Sequence, residues 1–183
     1  MRGSWLLALL ATVRPLASMS LPPLSFSRLA LEDVPAAFAL EEASYPADEA
    51  ATFDKLRMRQ AQAGEFFYGG YSTDGLLKAF VCGTLTADDT LTEDSMSTHE
   101  PSGTTLCIHS VVTASEMRRQ GVGSWMMKAY VAKVAEETRV RRILLLCKTT
   151  LIGFYEGAGF TNLGESDVEH GSDVWMLMEQ RLS

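Results

Sequence analysis

Apolar residues recur at two spacings along the chain, and each spacing predicts one type of element. Alternating or continuous apolar runs predict seven strands, at residues 24–29, 66–71, 76–85, 106–113, 141–147, 160–163 and 173–179. Apolar positions three or four residues apart predict four helices, at residues 31–43, 52–63, 125–138 and 150–158. The predicted order is β-α-α-β-β-β-α-β-α-β-β.

This order of elements predicts a single domain of the α/β class, with a mixed central sheet and helices on both faces. The run 141–147 is short and continuously apolar, as expected of a parallel strand that helices cover. The connection 86–104 is longer than loops in compact domains usually are, which predicts a short helix or a functional loop there. We place the domain at residues 23–183 and treat residues 1–22 as an N-terminal extension.

One stretch joins a strand to a helix through a glycine-bearing turn. The strand 106–113 is followed by Arg118-Arg119-Gln120-Gly121-Val122-Gly123-Ser124 and then by the third helix. The N–H groups of a first helical turn have no intrahelical partner, so they bind anions readily. Gly121 and Gly123 lack a Cβ, which lets a ligand approach the backbone closely. The stretch therefore predicts a phosphate site. No Gly-Lys-Ser/Thr and no third glycine follow, which excludes a Walker loop and a dinucleotide fingerprint.

The pattern R-x-x-G-x-G at residues 118–123 resembles the pyrophosphate loop of the GCN5-related N-acetyltransferases (GNAT). The resemblance extends through residues 144–147 and 154–160. Within that superfamily the chain is most similar to the arylalkylamine (serotonin-type) N-acetyltransferases, at residues 95–101, 108–111 and 118–124. The similarity covers residues 24–182. It implies a GNAT-like domain that transfers acetyl from acetyl-CoA to a small-molecule amine without a metal.

The resemblance also implies where acetyl-CoA binds. In that family the strand before the loop and the next parallel strand separate, and the pantetheine arm lies between them. The main-chain groups of Val111, Val112 and Thr113 are expected to pair with the pantetheine amides like an added strand. Arg118 is expected to face solvent or the adenosine phosphate. The residues expected to bind the pyrophosphate are Arg119, Gln120, Gly121, Val122, Gly123 and Ser124.

Acetyl transfer requires a neutral amine, and at pH 7 only about one alkylamine molecule in two to three thousand is neutral. The resemblance implies that His109 removes the proton through water and that Tyr155, as general acid, donates a proton to the departing thiolate. In the subfamily two histidines, two residues apart, form the relay, whereas Cys107 stands at the first position here. A thiol relays protons poorly unless its pKa is lowered. We therefore expect a relay with one histidine and a Cys107 that only packs.

The acceptor is expected to bind where the subfamily builds an aromatic slot, at Tyr45, Pro46, His99 and Trp175. The rings of Tyr45 and Trp175 are suited to stacking on an aryl group. The leading expectation is thus an arylalkylamine acceptor of the serotonin, tryptamine or phenylethylamine type.

Three alternatives stay open. Acidic residues at 88–94 and 165–169 suit a diamine or polyamine acceptor, because carboxylates attract polycations. A protein N-terminal acetyltransferase fits less well, because the strand end Cys147-Lys148-Thr149-Thr150 lacks the asparagine usual there. A non-catalytic CoA-binding module is an alternative of another class, which the missing first relay histidine favours.

Composition argues against one class of partner and indicates the state of the cysteines. The chain has 183 residues, of which 46% are hydrophobic and 21% charged, and its formal charge of −7 argues against nucleic acid as a partner. Three cysteines, Cys82, Cys107 and Cys147, lie in apolar runs without metal-type spacing. An odd number of such cysteines indicates reduced, buried thiols in a cytosol-like compartment.

The N-terminal segment differs from the rest of the chain. Residues 1–19 contain a nine-residue apolar run, which is too short to span a bilayer, and no acid precedes Glu32. Three interpretations stay open: translation from Met19, a mitochondrial or plastid transit peptide, and a secretory signal. We expect a cytoplasmic protein without membrane integration, with organellar import through residues 1–19 as the alternative. No sequence feature sets the oligomeric state.

Overall fold

The computed structural model describes residues 21–168 and 173–182. The described part contains one sheet of seven strands and four α-helices. The strands are β1 (Leu24–Arg28), β2 (Phe67–Ser72), β3 (Leu77–Thr86), β4 (Thr105–Thr113), β5 (Arg142–Lys148), β6 (Thr161–Glu165) and β7 (Trp175–Arg181). The helices are α1 (Val34–Glu42), α2 (Phe53–Ala63), α3 (Val122–Val134) and α4 (Ile152–Glu156). The predicted class and order of elements are confirmed. The N-terminal segment 1–19, for which three interpretations stay open, lies outside the described residues.

The sheet is mixed, and its strand order is β1-β2-β3-β4-β5-β7-β6. Every neighbouring pair is antiparallel except β4 and β5, which run parallel. This parallel pair lies at the middle of the sheet, with α3 as its crossover connection. Within the described residues, no helix combines the length and the apolar character needed to cross a membrane.

Helices cover both faces of the sheet because the strands present apolar side chains alternately to each side. Val81 of β3 packs in one buried cluster with Met126 and Tyr130 of α3. Its neighbour Phe80 packs in a second cluster with residues of α1 and α2, including Leu56. The two clusters form separate cores on opposite faces of one sheet.

The helix ends follow local signals, with one correction. The Thr52 hydroxyl accepts a hydrogen bond from the Lys55 N–H at 3.3 Å and caps α2. The third helix was predicted to reach Thr138 but ends at Val134. Beyond that point the N–H groups of Glu136 and Glu137 bond to carbonyls three residues back, so the chain tightens into turns.

The parallel strands β4 and β5 separate halfway along their length. Their pairing ends at Ile108 and Leu145, although β4 continues to Thr113. On the other side of β4 the register shifts, since Cys82 pairs with Ser110 and Gly83 with Ile108. His109 is therefore the extra residue of a β-bulge, a feature that bends a strand and redirects its side chain.

Gly83 is the residue that allows this bulge. A Cβ added at Gly83 would lie 2.6 Å from the carbonyl oxygen of Cys107, so any other residue would push β4 away. The bulge and the split thus begin at the same point of the sheet.

Candidate active site

The split between β4 and β5 leads into two adjoining spaces. A cleft of about 570 Å³ lies against the first turn of α3, and a smaller cavity of about 50 Å³ lies deeper in the sheet. Three residues line both spaces: Tyr45, Val111 and Tyr155. These residues mark the junction where groups held in the cleft can reach the cavity.

The cleft ends at an uncapped helix N-terminus. Gly121 precedes α3 with a φ of 82°, a left-handed conformation that favours glycine. No side chain caps the helix, so the N–H groups of its first turn are available to an anion. Gly123 and Ser124 of that turn line the cleft, and a Cβ at Gly123 would lie 3.3 Å from the ring of Phe154. The backbone is thus accessible from the cleft.

Two arginines line the same end of the cleft. The Arg118 Nε donates to the carbonyl oxygen of Thr113 at 3.1 Å, and its Nη2 donates to the Ser44 hydroxyl at 2.9 Å. These bonds hold the guanidinium across the mouth of the split. Arg119 has a φ of 62°, which is unusual for a residue with a side chain, and it also lines the cleft.

Two residues of the predicted phosphate loop point their side chains elsewhere. The Gln120 amide donates to the Glu116 carbonyl oxygen at 2.6 Å, within the preceding turn. The Val122 side chain is 1% exposed and packs in the core below α3. Only the main-chain groups of these two residues can serve an anion in the cleft.

The free edge of β4 has main-chain groups directed into the split. The Ala114 N–H bonds to the Lys78 carbonyl oxygen of the β3 side. Because hydrogen-bonded pairs alternate along an antiparallel ladder, Val112 faces β3, whereas Val111 and Thr113 face the split. Of the three residues predicted to pair with pantetheine, Val111 and Thr113 therefore direct their main-chain groups into the split, and Val112 does not.

Tyr45 lies against this edge. Its hydroxyl donates to the Val111 carbonyl oxygen at 3.3 Å and accepts from the Val111 N–H at 3.5 Å. Burial, followed by the nearby charge of Glu41, raises the pKa of Tyr45 above its ordinary value. The phenol stays protonated and lies where the cleft meets the small cavity.

His109 lines the small cavity from the bulge of β4. Its Nε2 lies 2.6 Å from the Thr84 hydroxyl, and its Nδ1 is buried without a hydrogen-bond partner in the described part of the chain. Burial lowers the pKa of His109 well below its usual range, and the positive charges of Arg59 and Lys55 lower it further. The imidazole is neutral at physiological pH and can accept a proton.

Cys107, two residues before His109, is poorly suited to relay a proton. The side chain is 0% exposed and packs with Leu91 and Leu144. Burial raises the pKa of the Cys107 thiol to about 11, so it remains protonated at neutral pH. This agrees with the expectation that Cys107 only packs.

Tyr155 lies at the junction of cleft and cavity. Its side chain is 6% exposed and is held between Phe154 and Phe160, with ring centroids at 4.8 and 5.9 Å. Burial, and then the proximity of Tyr45 and Cys147, raises the pKa of Tyr155 well above its ordinary value. The hydroxyl keeps its proton and is a donor at neutral pH.

The structure brings only part of the predicted aromatic slot to the cavity. Tyr45 and Trp175 line it, whereas Pro46 and His99 line neither space. The exposed Pro46 begins a turn, in which its carbonyl oxygen accepts N–H groups from Glu49 and Ala50. Of the four residues predicted for the slot, Tyr45 and Trp175 thus lie at the cavity and Pro46 and His99 lie outside it, and the slot itself stays a prediction.

A bond to the main chain of β3 holds His99 outside the cavity. Its Nδ1 accepts the Leu85 N–H at 3.1 Å, and its ring lies 6.5 Å from that of Phe66. These contacts give the imidazole a structural role.

Two buried carboxylates that the sequence did not single out line the same cavity. Glu41 is 2% exposed and accepts bonds from the Ala51 N–H at 2.9 Å and the Ser110 hydroxyl at 3.0 Å. Burial raises the pKa of Glu41. Glu49 is 8% exposed and forms an ion pair with Lys148 at 2.8 Å.

Lys148 lies beside two residues of the cavity lining, Glu49 and Trp175. Its ammonium also contacts Asp173 at 2.7 Å and lies 5.6 Å from the ring centroid of Trp175. An ammonium therefore already sits between a carboxylate lining the cavity and an aromatic face, which is the environment that favours cations. The described residues contain no group of three or more His, Cys, Asp or Glu side chains arranged to hold a metal ion.

The sequence matches known proteins over most of its length. The sequence model of the acetyltransferase (GNAT) family matches residues 34–160. The chain is 29% identical to the serotonin N-acetyltransferase of Mesocricetus auratus over 163 residues, which is 87% of this chain and 78% of that protein. It is 27% identical to the human serotonin N-acetyltransferase over 160 residues, or 86% and 77% of the two chains.

Solved structures share the fold at lower identity. The GNAT-like decarboxylase GphF, in complex with isobutyryl-CoA, superposes with a TM-score of 0.77 at 14% identity, over 87% of this chain and all of that one. The structure of yncA from Salmonella typhimurium with acetyl-CoA gives 0.62 at 12% identity, over 88% and 95%. The family match spans well over half of the chain, and the fold is shared with these structures. The chain belongs to the acetyltransferase (GNAT) family.

Proposed function

We propose that this acyltransferase transfers the acetyl group of acetyl-CoA directly to the primary amine of an arylalkylamine. The observation that carries the proposal is the meeting of His109 and Tyr155 at one small cavity, at the inner end of the split between β4 and β5. Tyr155 also lines the cleft, so a thioester held there reaches both side chains. The similarity to serotonin N-acetyltransferases supports the acceptor class.

The residues of the cleft fit acetyl-CoA as co-substrate. The outward main-chain groups of Val111 and Thr113 suit the pantetheine amides, which pair like an added strand. The amides would replace the Tyr45 hydroxyl at Val111 and the Arg118 guanidinium at the Thr113 carbonyl oxygen. The uncapped first turn of α3 suits the pyrophosphate, since it presents N–H groups and the positive end of the helix dipole. Arg118 and Arg119 add positive charge beside it.

His109 serves as the general base in this proposal. An alkylammonium has a pKa of about 10.4, so removing its proton at pH 7 costs about 4 to 5 kcal/mol. The neutral imidazole has a free, buried Nδ1 that can take the proton. The cavity of about 50 Å³ exceeds the roughly 10–15 Å³ that one water needs, so a bridging water fits between base and amine.

Tyr155 serves as the general acid. Its hydroxyl is protonated throughout the physiological range because burial raises its pKa. Donation of this proton, or of a hydrogen bond, stabilises the departing thiolate and makes expulsion of CoA more favourable.

The cysteines support direct transfer over an acetylated enzyme. Cys82, Cys107 and Cys147 are each at most 1% exposed. Burial raises the pKa of Cys82 above its usual value and those of Cys107 and Cys147 to about 11. A thiol needs its thiolate form to act as a nucleophile, so none of the three is suited to carry the acetyl group.

A diamine or polyamine is the second candidate acceptor. The observation that favours it is the pair of carboxylates, Glu41 and Glu49, that line the cavity together with the rings of Tyr45 and Trp175. A carboxylate beside an aromatic ring attracts an ammonium whether the remainder of the acceptor is aromatic or aliphatic.

An acceptor panel tests these proposals. The purified chain is incubated with acetyl-CoA and, in turn, serotonin, tryptamine, phenylethylamine, putrescine, spermine and a peptide with a free N-terminus, while a thiol dye reports release of CoA. Fastest turnover with the aryl amines supports the first proposal, and fastest turnover with the polyamines supports the second. CoA binding without turnover of any amine would instead indicate a non-catalytic module, and turnover of peptide N-termini alone a protein acetyltransferase.

A further inference from the structure

We propose that Thr84 is a positioning residue that fixes the tautomer of His109, with the proton on Nε2 and the lone pair on Nδ1. The inference rests on the proposed function only for the role of His109 as base. The tautomer itself follows from hydrogen bonds within the protein.

The proton of the Thr84 hydroxyl determines which nitrogen of His109 is protonated. A threonine hydroxyl has one proton to donate. The Thr84 Oγ1 donates to the carbonyl oxygen of Ser95 at 2.9 Å and lies 2.6 Å from Nε2 of His109. A carbonyl oxygen can only accept, so the hydroxyl proton is used there. Toward His109 the Thr84 oxygen can then only accept, and Nε2 must carry the proton.

The position of the Ser95 carbonyl is itself fixed. The Ser95 N–H bonds to the Thr92 hydroxyl at 3.2 Å, and the Ser95 hydroxyl donates to the Thr92 carbonyl oxygen at 2.7 Å. The next carbonyl, of Met96, accepts from Nη2 of the buried Arg59 at 3.1 Å. Bonds within the turn and a bond from α2 thus hold the Ser95 carbonyl in place. If the Thr84 hydroxyl donated elsewhere, this carbonyl would lose its hydrogen bond, which is unfavourable.

The consequence is a lone pair on Nδ1. That atom is buried and without a partner among the described residues, as expected for a nitrogen that awaits a ligand or water. In the opposite tautomer Nδ1 would hold an unpaired buried proton, and Nε2 and Thr84 Oγ1 would face each other as two acceptors. Both changes are unfavourable, so the surroundings select one tautomer.

The charged groups near the ring lie on α1, on α2 and in the turn between these helices. Arg59 and Lys55 of α2 are positive and disfavour the imidazolium. Glu41 of α1 and Glu49, which precedes α2, line the same cavity as His109. These charges affect whether the ring is charged, whereas Thr84 decides which nitrogen of the neutral ring accepts the proton.

The test uses nitrogen NMR of the whole chain labelled with ¹⁵N-histidine, at neutral pH and without substrate. The resonances of His109 are assigned by their loss in His109→Gln. We expect a protonated Nε2 and an unprotonated Nδ1 in the wild type and in Thr84→Ser, which keeps the hydroxyl. In Thr84→Val, which nearly preserves the volume, we expect the Nδ1–H form to appear.

Activity supplies a second readout. Thr84→Val should lower kcat by about tenfold or more with little change in the KM for acetyl-CoA, and Thr84→Ser should restore it. Thr86→Val is the matched control, because Thr86 is also buried in β3 and bonds Glu100 instead. This control should retain the wild-type tautomer and rate.

A wild-type spectrum with the proton on Nδ1 would overturn the proposal, whatever the variants do. So would a folded Thr84→Val protein with an unchanged tautomer. If Thr84→Val does not fold, the same spectrum is recorded for Thr84→Ala, which also lacks the hydroxyl, and an unchanged tautomer there would overturn the proposal. Failure of the chain to acetylate any amine would contradict the proposed function and leave the tautomer measurement intact, so the two outcomes are separable.

Discussion

Replacing Gly123 by valine separates CoA binding from folding. Gly123 lies in the first turn of α3 and lines the cleft. Its φ is not in the left-handed region, so the backbone accepts a side chain. The new Cβ would lie 3.3 and 3.4 Å from two atoms of the Phe154 ring and 3.7 Å from the Thr113 hydroxyl. Phe154 must shift by a few tenths of an ångström, while the two methyl groups crowd the cleft.

The expected loss follows from the bonds that the methyl groups block. A hydrogen bond to a charged group contributes about 1.5 to 3 kcal/mol. Displacing the pyrophosphate from one first-turn N–H therefore weakens CoA binding by about 10- to 150-fold, at about 1.4 kcal/mol for each factor of ten. Stability should change little, because glycine is a poor helix residue and its loss offsets the crowding of Phe154.

The assay is calorimetric titration of CoA into the variant, together with a thermal melt. Gly153→Val is the matched control: Gly153 also lies in a helix, is exposed, and an added Cβ would meet nothing within 4 Å. It should bind CoA as the wild type does. A folded Gly123→Val protein with wild-type affinity would refute the assignment of this turn to the pyrophosphate.

Two further substitutions test the acid and the acceptor site. Tyr155→Phe should lower kcat by about 10- to 100-fold while the Kd for acetyl-CoA stays unchanged, because only the transition state uses the proton. An unchanged kcat in steady-state assays would show that Tyr155 has only a packing role. Glu49→Gln should raise the KM for the amine by about tenfold, because it removes a negative charge from the lining of the cavity and with it the ion pair to Lys148. Acetyl-CoA titrations serve as its control, and an amine KM equal to that of the wild type would remove Glu49 from the acceptor site.

The parts of the fold that depend on neighbouring residues could be predicted from the sequence. The start of the second helix near residue 52, the Gly121 turn and the continuous apolar run of β5 all depend on signals within a few residues, and the structure has each of them. The end of α3 was placed four residues too far, because Ala135–Thr138 is helix-compatible in composition and only the bonding pattern shows tightening turns.

The interior of the site depends on residues that are distant in sequence. Glu41 bonds Ser110, which is 69 residues away, and Thr84 meets His109 across 25 residues. Neither partner has a local pattern that marks it. An acid in a helix and a threonine in a strand are common in any sequence, and only the folded sheet places Glu41 and Thr84 near His109.

The side-chain directions of His99 and Pro46 also depend on contacts that the sequence does not show. The sequence predicts His99 in the acceptor slot because residues 95–101 resemble the subfamily, yet a hydrogen bond from the Leu85 N–H of β3 sets the orientation of its ring. Pro46 adjoins Tyr45, but successive residues point in different directions, and only Tyr45 reaches the cavity. Spacing along a chain predicts proximity of segments better than the direction of a side chain.

The pH dependence of His109→Gln tests the central claim most directly, namely that His109 takes the proton from the ammonium. Glutamine cannot accept a proton, so kcat/KM near pH 7 should fall by about 10² on the best amine. The deficit should shrink toward pH 9 to 10, because the amine, with a pKa of about 10.4, becomes neutral without a base. A folded His109→Gln enzyme that matches the wild type at pH 7, or that shows the same deficit at every pH, would contradict the account.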